Sequence, residues 1–407
     1  AVERGFGLSK LLSIGNKAGL SEHELLESLA IDEQTKVIVC YLESINNGQA
    51  FIDIAEKTSR VKPIIMFKSG VTKSGSKAAS SHTGSLAGAD IAYETAFAKS
   101  GIIRVQTYEQ MFEYAIGFNF QPLPKGRRVA VITNAGGPGI MATDAIELSG
   151  LIMAELQPET AAKLKEFLPN AASVKNPVDV LGDADPTRYA KALEVVSKDP
   201  NVDAIIILLT PQAVTKSLET AEVLCKAMDK SKPVLACFMG GVDVNPARDL
   251  MLANGLPDYR SPEKAVNALK AIISYAEWLK QPKDAATEKK VDRTIVSSII
   301  EKYRSSDQVQ INESDAKKIL AAYGIKTPAG ALVNSAEEAG KQAESIGYPL
   351  VMKIVSPDII HKSDVGGVIL HLNSKSQVEE AFASMMAKIK SNVPGARITG
   401  VYIEKMA

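Results

Sequence analysis

His82 is the residue in this chain around which covalent chemistry can most readily be organised. It is one of four histidines and lies in the run SKAASSHTGSLAGA at 76–89, among Ser, Ala, Thr and Gly. Small neighbours let such a segment move and let backbone N–H groups approach whatever the imidazole carries. A histidine in that setting serves as acid, base or nucleophile, or is simply exposed. A second pattern is NAGGPG at 134–139, which follows the apolar run RVAVIT and precedes a helix-like stretch at 140–149. A strand, a glycine-rich turn and a helix N-terminus together present N–H groups backed by the positive end of a helix dipole. The spacing is not G-x-G-x-x-G, and no acidic residue stands where a dinucleotide ribose would need it. The pattern therefore reads as a phosphate site or as a tight turn without a ligand.

Two more groups lie near the C-terminal end. Lys353 interrupts the apolar run PLVMKI at 349–354, where it faces solvent or points into a site that holds phosphate. The stretch DIIHKSDVGGV at 358–368 collects His361, Lys362, Asp364, Gly366 and Gly367, as a polar hairpin turn or as part of a site. Glu404 lies in the last strand-like run, VYIEKM. His23 and His371 read as structural or exposed.

The elements that must position these residues alternate. Strand-like runs at 36–42, 63–68 and 102–105 are separated by helix-like stretches at 22–30, 51–57, 90–99 and 108–118. That alternation predicts βαβ units and a parallel, doubly wound sheet, whose ligands bind beyond the carboxyl ends of the strands. Glu43 follows the 36–42 run directly, so it falls at that edge, and the loop after 63–68 leads to His82 at the same edge. PLPKG at 122–126 marks a boundary, and a new sheet follows with buried strands at 128–133, 204–209 and 233–238. NPVD at 176–179 and Gly182-Asp183 reach the same edge or are plain loops. A charged stretch at 281–312 reads as a linker, after which Ser314 caps a helix that Gly324 ends.

Length calls for several domains. Forty-seven basic and 47 acidic residues cancel, which argues against a nucleic-acid or membrane-surface protein. Cys40, Cys225 and Cys237 form no metal-like cluster and read as free thiols of a reducing, cytoplasmic protein. No signal peptide or transmembrane run appears.

Taken together, SSHTGSLAG around His82, LES around Glu43, TNAGGPG, NPVD and MKIVSPDIIHKSDVGGV resemble the NDP-forming acyl-CoA synthetases, within the succinyl-CoA synthetase superfamily, and above all their ADP-forming acetyl-CoA synthetases. The resemblance covers nearly the whole chain in order. It implies an α/β fold with two flavodoxin-like, doubly wound parallel-sheet domains (1–122 and 123–280), the linker, and the start of an ATP-grasp domain (313–407). It implies interconversion of acyl-CoA, ADP and phosphate with a carboxylic acid, CoA and ATP, through an acyl phosphate and a phosphohistidine on a mobile loop. His82 would be phosphorylated and Glu43 would orient its imidazole. Gly136, Gly137 and Gly139 would cradle the phosphoryl group. Lys353 would bind nucleotide phosphates, Glu404 would lie near adenine, and His361 would be a second relay histidine. ATP or ADP, Mg²⁺ and coenzyme A are the implied cofactors. The implied partners are small molecules, with assembly into a homo-oligomer left open.

Two departures from the family pattern predict a fragment unable to turn over alone. The Rossmann-like CoA-binding domain is not seen ahead of the first segment, nor the carboxylate-bearing end of the ATP-grasp domain after the last. A competing reading is an inactive acyl-CoA- or nucleotide-sensing part of a lysine acetyltransferase, against which the presence of both His82 and Glu43 counts. Another is a structural subunit whose partner chain supplies catalysis.

Overall fold

Apolar β-branched runs become strands here because a pleated surface buries them efficiently. The first elements are α1 (Glu22–Ile31), β1 (Ile38–Leu42), α2 (Gly48–Ser59), β2 (Ile64–Lys68), α3 (Asp90–Ser100), β3 (Ile103–Val105) and α4 (Tyr108–Phe120). The computed structural model describes residues 7–15, 17, 19–72, 74–75, 90–282, 291–306, 310–359 and 361–406. They belong to two compact units, Ala1–Lys283 and Asp284–Ala407. The first sheet of the first unit is parallel in the order β1-β2-β3. Leu26, Phe51 and Phe97 pack on Ile38, Ile64 and Met66 on one face, and Met111 and Ala115 pack on Ile65 and Val105 on the other. This is the doubly wound arrangement that the alternation predicts.

The chain continues through β4 (Arg128–Thr133), α5 (Gly136–Leu148), β5 (Ile152–Met153), α6 (Pro158–Lys165), β6 (Val178–Asp179), α7 (Pro186–Ser197), β7 (Ala204–Leu209), α8 (Ser217–Ala227), β8 (Val234–Phe238), α9 (Asn245–Ala253) and α10 (Pro262–Lys280). The second sheet is parallel in the order β5-β4-β7-β8, with β6 also on β4. Every residue of β7 is buried, and its alternation divides it between two cores. Ile205, Ile207 and Leu209 meet Leu193, Leu224 and Met251 of α7, α8 and α9. Ala204, Ile206 and Leu208 meet Ile146 of α5 and Leu269 of α10. Each isoleucine so buried contributes roughly 1.5–3 kcal/mol before its entropy cost. Within this unit α10 also ties the two sheets together: Tyr275 Oη donates to Ser59 O at 2.6 Å, and Lys264 pairs with Glu113 at 2.7 Å.

One edge of β4 is shared. β5 pairs with its start at Arg128 and Val129, and β6 with its end at Ile132 and Thr133. Between them the Asn176 side chain substitutes for a strand. It accepts from Val131 N at 2.9 Å and donates to Val129 O at 2.8 Å and Ala154 O at 3.0 Å. The 176–183 segment thus reaches the carboxyl edge of β4, one of the two readings its sequence left open.

The second unit contains α11 (Arg293–Ser305), α12 (Glu313–Ala322), β9 (Gly330–Val333), α13 (Ala336–Ile346), β10 (Leu350–Val355), β11 (Val368–Leu372), α14 (Lys375–Asn392) and β12 (Gly400–Lys405). Its sheet is antiparallel in the order β11-β10-β12-β9. Met352, Ile354, Val401 and Ile403 point to a core closed by Ala339 and Ala343 of α13 and by Phe382, Met385 and Ile389 of α14. The alternate residues Val351, Lys353, Tyr402 and Glu404 share the opposite face. Within the stretch read as a linker, α11 buries Val296, Ile299 and Tyr303, and Tyr303 Oη donates to Asp315 at 3.0 Å.

Two local expectations are corrected. Asn312, not Ser314, caps α12, because its Oδ1 accepts from Asp315 N at 2.9 Å. α5 begins at Gly136, not at 140, so the predicted glycine turn is the helix's first turn. Gly324, with φ of +74°, does follow the end of α12 in the left-handed region. No helix among the described residues is long and apolar enough to cross a membrane.

Candidate functional site

The carboxyl edge of the second sheet presents bare backbone. Ala135 stands at the N-cap of α5 and offers no side-chain cap. Gly136 and Gly137 are exposed, and a Cβ added to either would meet nothing within 4 Å. Pro138 contributes no N–H, and Gly139 N already donates to Ala135 O at 3.3 Å. The first turn therefore offers the N–H groups of Gly136 and Gly137 in a space a large anion can enter. Gly139 has a different duty. It is buried, and a Cβ there would lie 3.2 Å from Thr133 Cγ2 and 3.7 Å from Pro177 Cβ. Asn134 staples the ends of β4 and β7: its Nδ2 donates to Thr210 O at 2.8 Å, and its Oδ1 accepts from Thr210 N at 2.9 Å.

At the first sheet, Glu43 follows β1 and accepts from Tyr41 Oη at 3.4 Å. Leu42 pairs in register with Lys68, so the two strand ends lie side by side. Lys68 is buried, donates to Ser69 O and stands 4.6 Å above the Tyr93 ring. Burial lowers its pKa against the opposing pull of Asp90, Arg104 pushes it down further, and Glu43 pulls it up. His82 and the rest of 76–89 lie outside the described residues, so the expected His82–Glu43 pair has no geometry here.

The second unit carries the densest charge cluster. Lys353, from β10, donates to Glu313 Oε1 at 2.7 Å and to Glu404 Oε1 at 2.5 Å. Lys362, just beyond β10, donates to Glu313 Oε2 at 3.0 Å. Lys317, one turn along α12 from Glu313, pairs with it at 3.2 Å, bonds Glu404 and lies 4.7 Å from the Tyr402 ring. Burial would raise the Glu313 carboxyl, but hydrogen bonds from Lys353, Lys362 and Lys317 outweigh it and hold the pKa at about 2. Gly366 and Gly367 allow the turn that places Lys362. Gly366 has φ of +74°, and a Cβ on Gly367 would fall 2.4 Å from Ile354 Cγ2. Three cations on two carboxylates form a site for further negative charge.

The chain's relatives fit this geometry. Residues 1–118 match the family profile for a succinyl-CoA ligase like flavodoxin domain, 129–300 a Ligase-CoA domain and 302–407 an ATP-grasp domain. Acetate–CoA ligase [ADP-forming] I of Archaeoglobus fulgidus is 39% identical over 99% of this chain. The chain belongs to the NDP-forming acyl-CoA synthetases. A second member of that family, 4-hydroxybutyrate–CoA ligase [ADP-forming] of Nitrosopumilus maritimus, is 37% identical over 100% of the chain. The chain spans 58% of the length of each of these relatives. A solved structure of a dinucleotide-forming acetyl-coenzyme A synthetase 1 from Ca. Korarchaeum cryptofilum, in complex with phosphate and ADP, superposes with a TM-score of 0.65. It is 37% identical and covers 68% of this chain and 61% of its own.

Against the family's expected site residues, the structure joins Lys353 to Glu404 and leaves His361 apart. His361 is exposed at the start of a 3₁₀ turn (Lys362–Val365), and it is Lys362 that reaches the cluster. Glu313, Lys317 and Tyr402 belong to the cluster although no motif in the sequence marks them. The i,i+4 Glu313–Lys317 pair on an amphipathic helix was the signal available. Among the described residues no group of three His, Cys, Asp or Glu side chains converges as a cation site. Glu313 and Glu404 are paired with lysines, so neither is free to ligate the implied Mg²⁺ in this arrangement.

Proposed function

We propose that the complete protein is an ADP-forming acyl-CoA synthetase, an acid–thiol ligase acting on a short carboxylic acid. The observation that carries this reading is the similarity of 99% of the chain to an ADP-forming acetate–CoA ligase. In one direction a phosphate oxygen attacks the thioester carbonyl of acyl-CoA, the C–S bond breaks, and CoA leaves as acyl phosphate forms. A neutral nitrogen of His82 then attacks phosphorus, and the carboxylate leaves with the P–O bond electrons. A terminal phosphate oxygen of ADP next attacks the phosphohistidine, giving ATP and freeing the imidazole. The reverse sequence forms acyl-CoA.

In this reading Glu43 holds the second imidazole nitrogen and stabilises the positive charge that develops on attack. Gly136 and Gly137 stabilise phosphoryl oxygens through their N–H groups, and Gly139 fixes the turn that presents them. Lys353 holds nucleotide phosphates, Glu404 borders the adenine pocket, and His361 assists transfer near the nucleotide. A cytoplasmic, oligomeric enzyme fits soluble substrates of this kind, and gel filtration of the complete protein checks the assembly.

The test is phosphoenzyme formation. Full-length protein with γ-labelled ATP and Mg²⁺ should acquire acid-labile, base-stable label. Label that persists in a His82→Ala variant would remove His82 as the acceptor, and an unlabelled wild-type protein would remove the phosphoenzyme.

A further inference from the structure

Glu313 has no part in the roles assigned above, yet it touches every lysine of the second unit's cluster. Its two oxygens reach Lys353 at 2.7 Å, Lys317 at 3.2 Å and Lys362 at 3.0 Å. Those lysines come from β10, α12 and the turn after β10, so no local sequence rule brings them together. Two ammonium groups from different elements meeting opposite oxygens of one carboxylate is the geometry by which lysines bind a phosphate. We propose that Glu313 is an internal anion that occupies Lys353 and Lys362 when no nucleotide is bound and is displaced by the incoming polyphosphate. The inference rests on the reading of this unit as the nucleotide site.

The two carboxylates of the cluster differ in a way that selects Glu313 for displacement. The Glu404 side chain is 7% exposed and lies on a central strand, whereas that of Glu313 is 25% exposed at the first position of α12. A carboxylate there remains favoured by the helix N-terminus when it swings outward. Glu404 meanwhile stays on Lys317 and Lys353 as their counter-charge. Release of Glu313 therefore removes the one ion-pair partner Lys362 has among the described residues and one of the two that Lys353 has. The cost of that release lowers the apparent affinity for nucleotide.

Titration calorimetry on the full-length protein with ADP and with adenosine separates the possibilities. Glu313→Gln should tighten ADP by roughly fivefold, the scale of one partly exposed ion pair, and leave adenosine unchanged. Glu313→Asp, whose shorter side chain cannot span both lysines, should tighten ADP by about twofold and guards against a poorly folded Gln variant. A merely structural role would weaken ADP and adenosine together, and weaker or unchanged ADP binding with constant adenosine would make Glu313 an organiser of the lysines; either result overturns displacement. Wild-type protein that binds adenosine but not ADP, or neither, overturns the nucleotide reading and the proposal with it.

Discussion

The glycine turn of the first unit and the lysine cluster of the second are both suited to anions, by opposite means. At Gly136 and Gly137 the attraction comes from backbone N–H groups and a helix dipole, with no side chain to titrate or substitute. At Lys353 and Lys362 it comes from side-chain charges that Glu313 neutralises. The first site is preorganised and needs only space. The second is held by interactions that a ligand must break. Stability and binding should therefore separate at the turn and be coupled at the cluster, in the same direction for the lysines and in opposite directions for Glu313.

The strongest perturbation should be Gly367→Ala, which puts a Cβ within 2.4 Å of Ile354 Cγ2 and 2.9 Å of Lys362 O. Urea unfolding should show a loss of about 3 kcal/mol, with ADP binding falling as Lys362 shifts. Lys353→Met comes next. It leaves Glu404 buried with Lys317 alone, and should cost about 2 kcal/mol and at least a tenfold loss in ADP affinity. Equal ADP binding by this variant would remove Lys353 from the nucleotide site.

Acid should discriminate between the regions as well. Glu313 and Asp315 both have folded-state pKa values near 2; burial opposes this, and bonds from Lys353, Lys362 and Lys317 in one case and from Lys302, Lys318 and Tyr303 in the other prevail. Since both values lie below those of the unfolded chain, the stabilisation is present above about pH 4.5 and is lost as pH falls toward 2. After solvent screening, about 1 kcal/mol for each carboxylate is expected, read as a falling urea midpoint for the second unit. Glu313→Gln should flatten that fall. The smallest structural effect belongs to Gly136→Ala: the added methyl meets nothing, so stability should stay within about 0.5 kcal/mol. Acyl phosphate formation should nonetheless slow by roughly tenfold if phosphate approaches this turn. An unchanged rate would make the turn a structural one.

Much of the fold was legible because its strands are apolar and regular. AIIILL, RVAVIT and LVMKIV are buried wherever they meet a core, and their ends differ from the expected ones by a residue or so. The two-residue strands β5 and β6 were not legible, since neither is long enough to show a period. The expected start of α5 falls four residues late because Gly136, Gly137 and Gly139 are poor helix formers and Ala135 is no cap. Lys353 was legible as a charge in an apolar run. Glu313 was not, because what matters about it is its meeting with Lys353 of β10 and Lys362 of the turn that follows, across the fold. The choice of Lys362 over His361 depends on how Gly366 and Gly367 turn the chain, which alternation does not encode. The placement of His82 belongs to a segment outside the described residues, and its role rests on its motif and on family membership.

Asn176 has a chemical consequence of its own. Its amide stands in for a peptide group in the second sheet, donating to two carbonyls and accepting from one N–H. Loss of that amide nitrogen with age would leave a carboxylate facing Val129 O and Ala154 O. The usual route to such loss is attack on the side chain by the nitrogen of the next residue. Here that residue is Pro177, which has no N–H to give up. This side chain, which fills a gap in the ladder, is thereby protected from the commonest way an asparagine wears out.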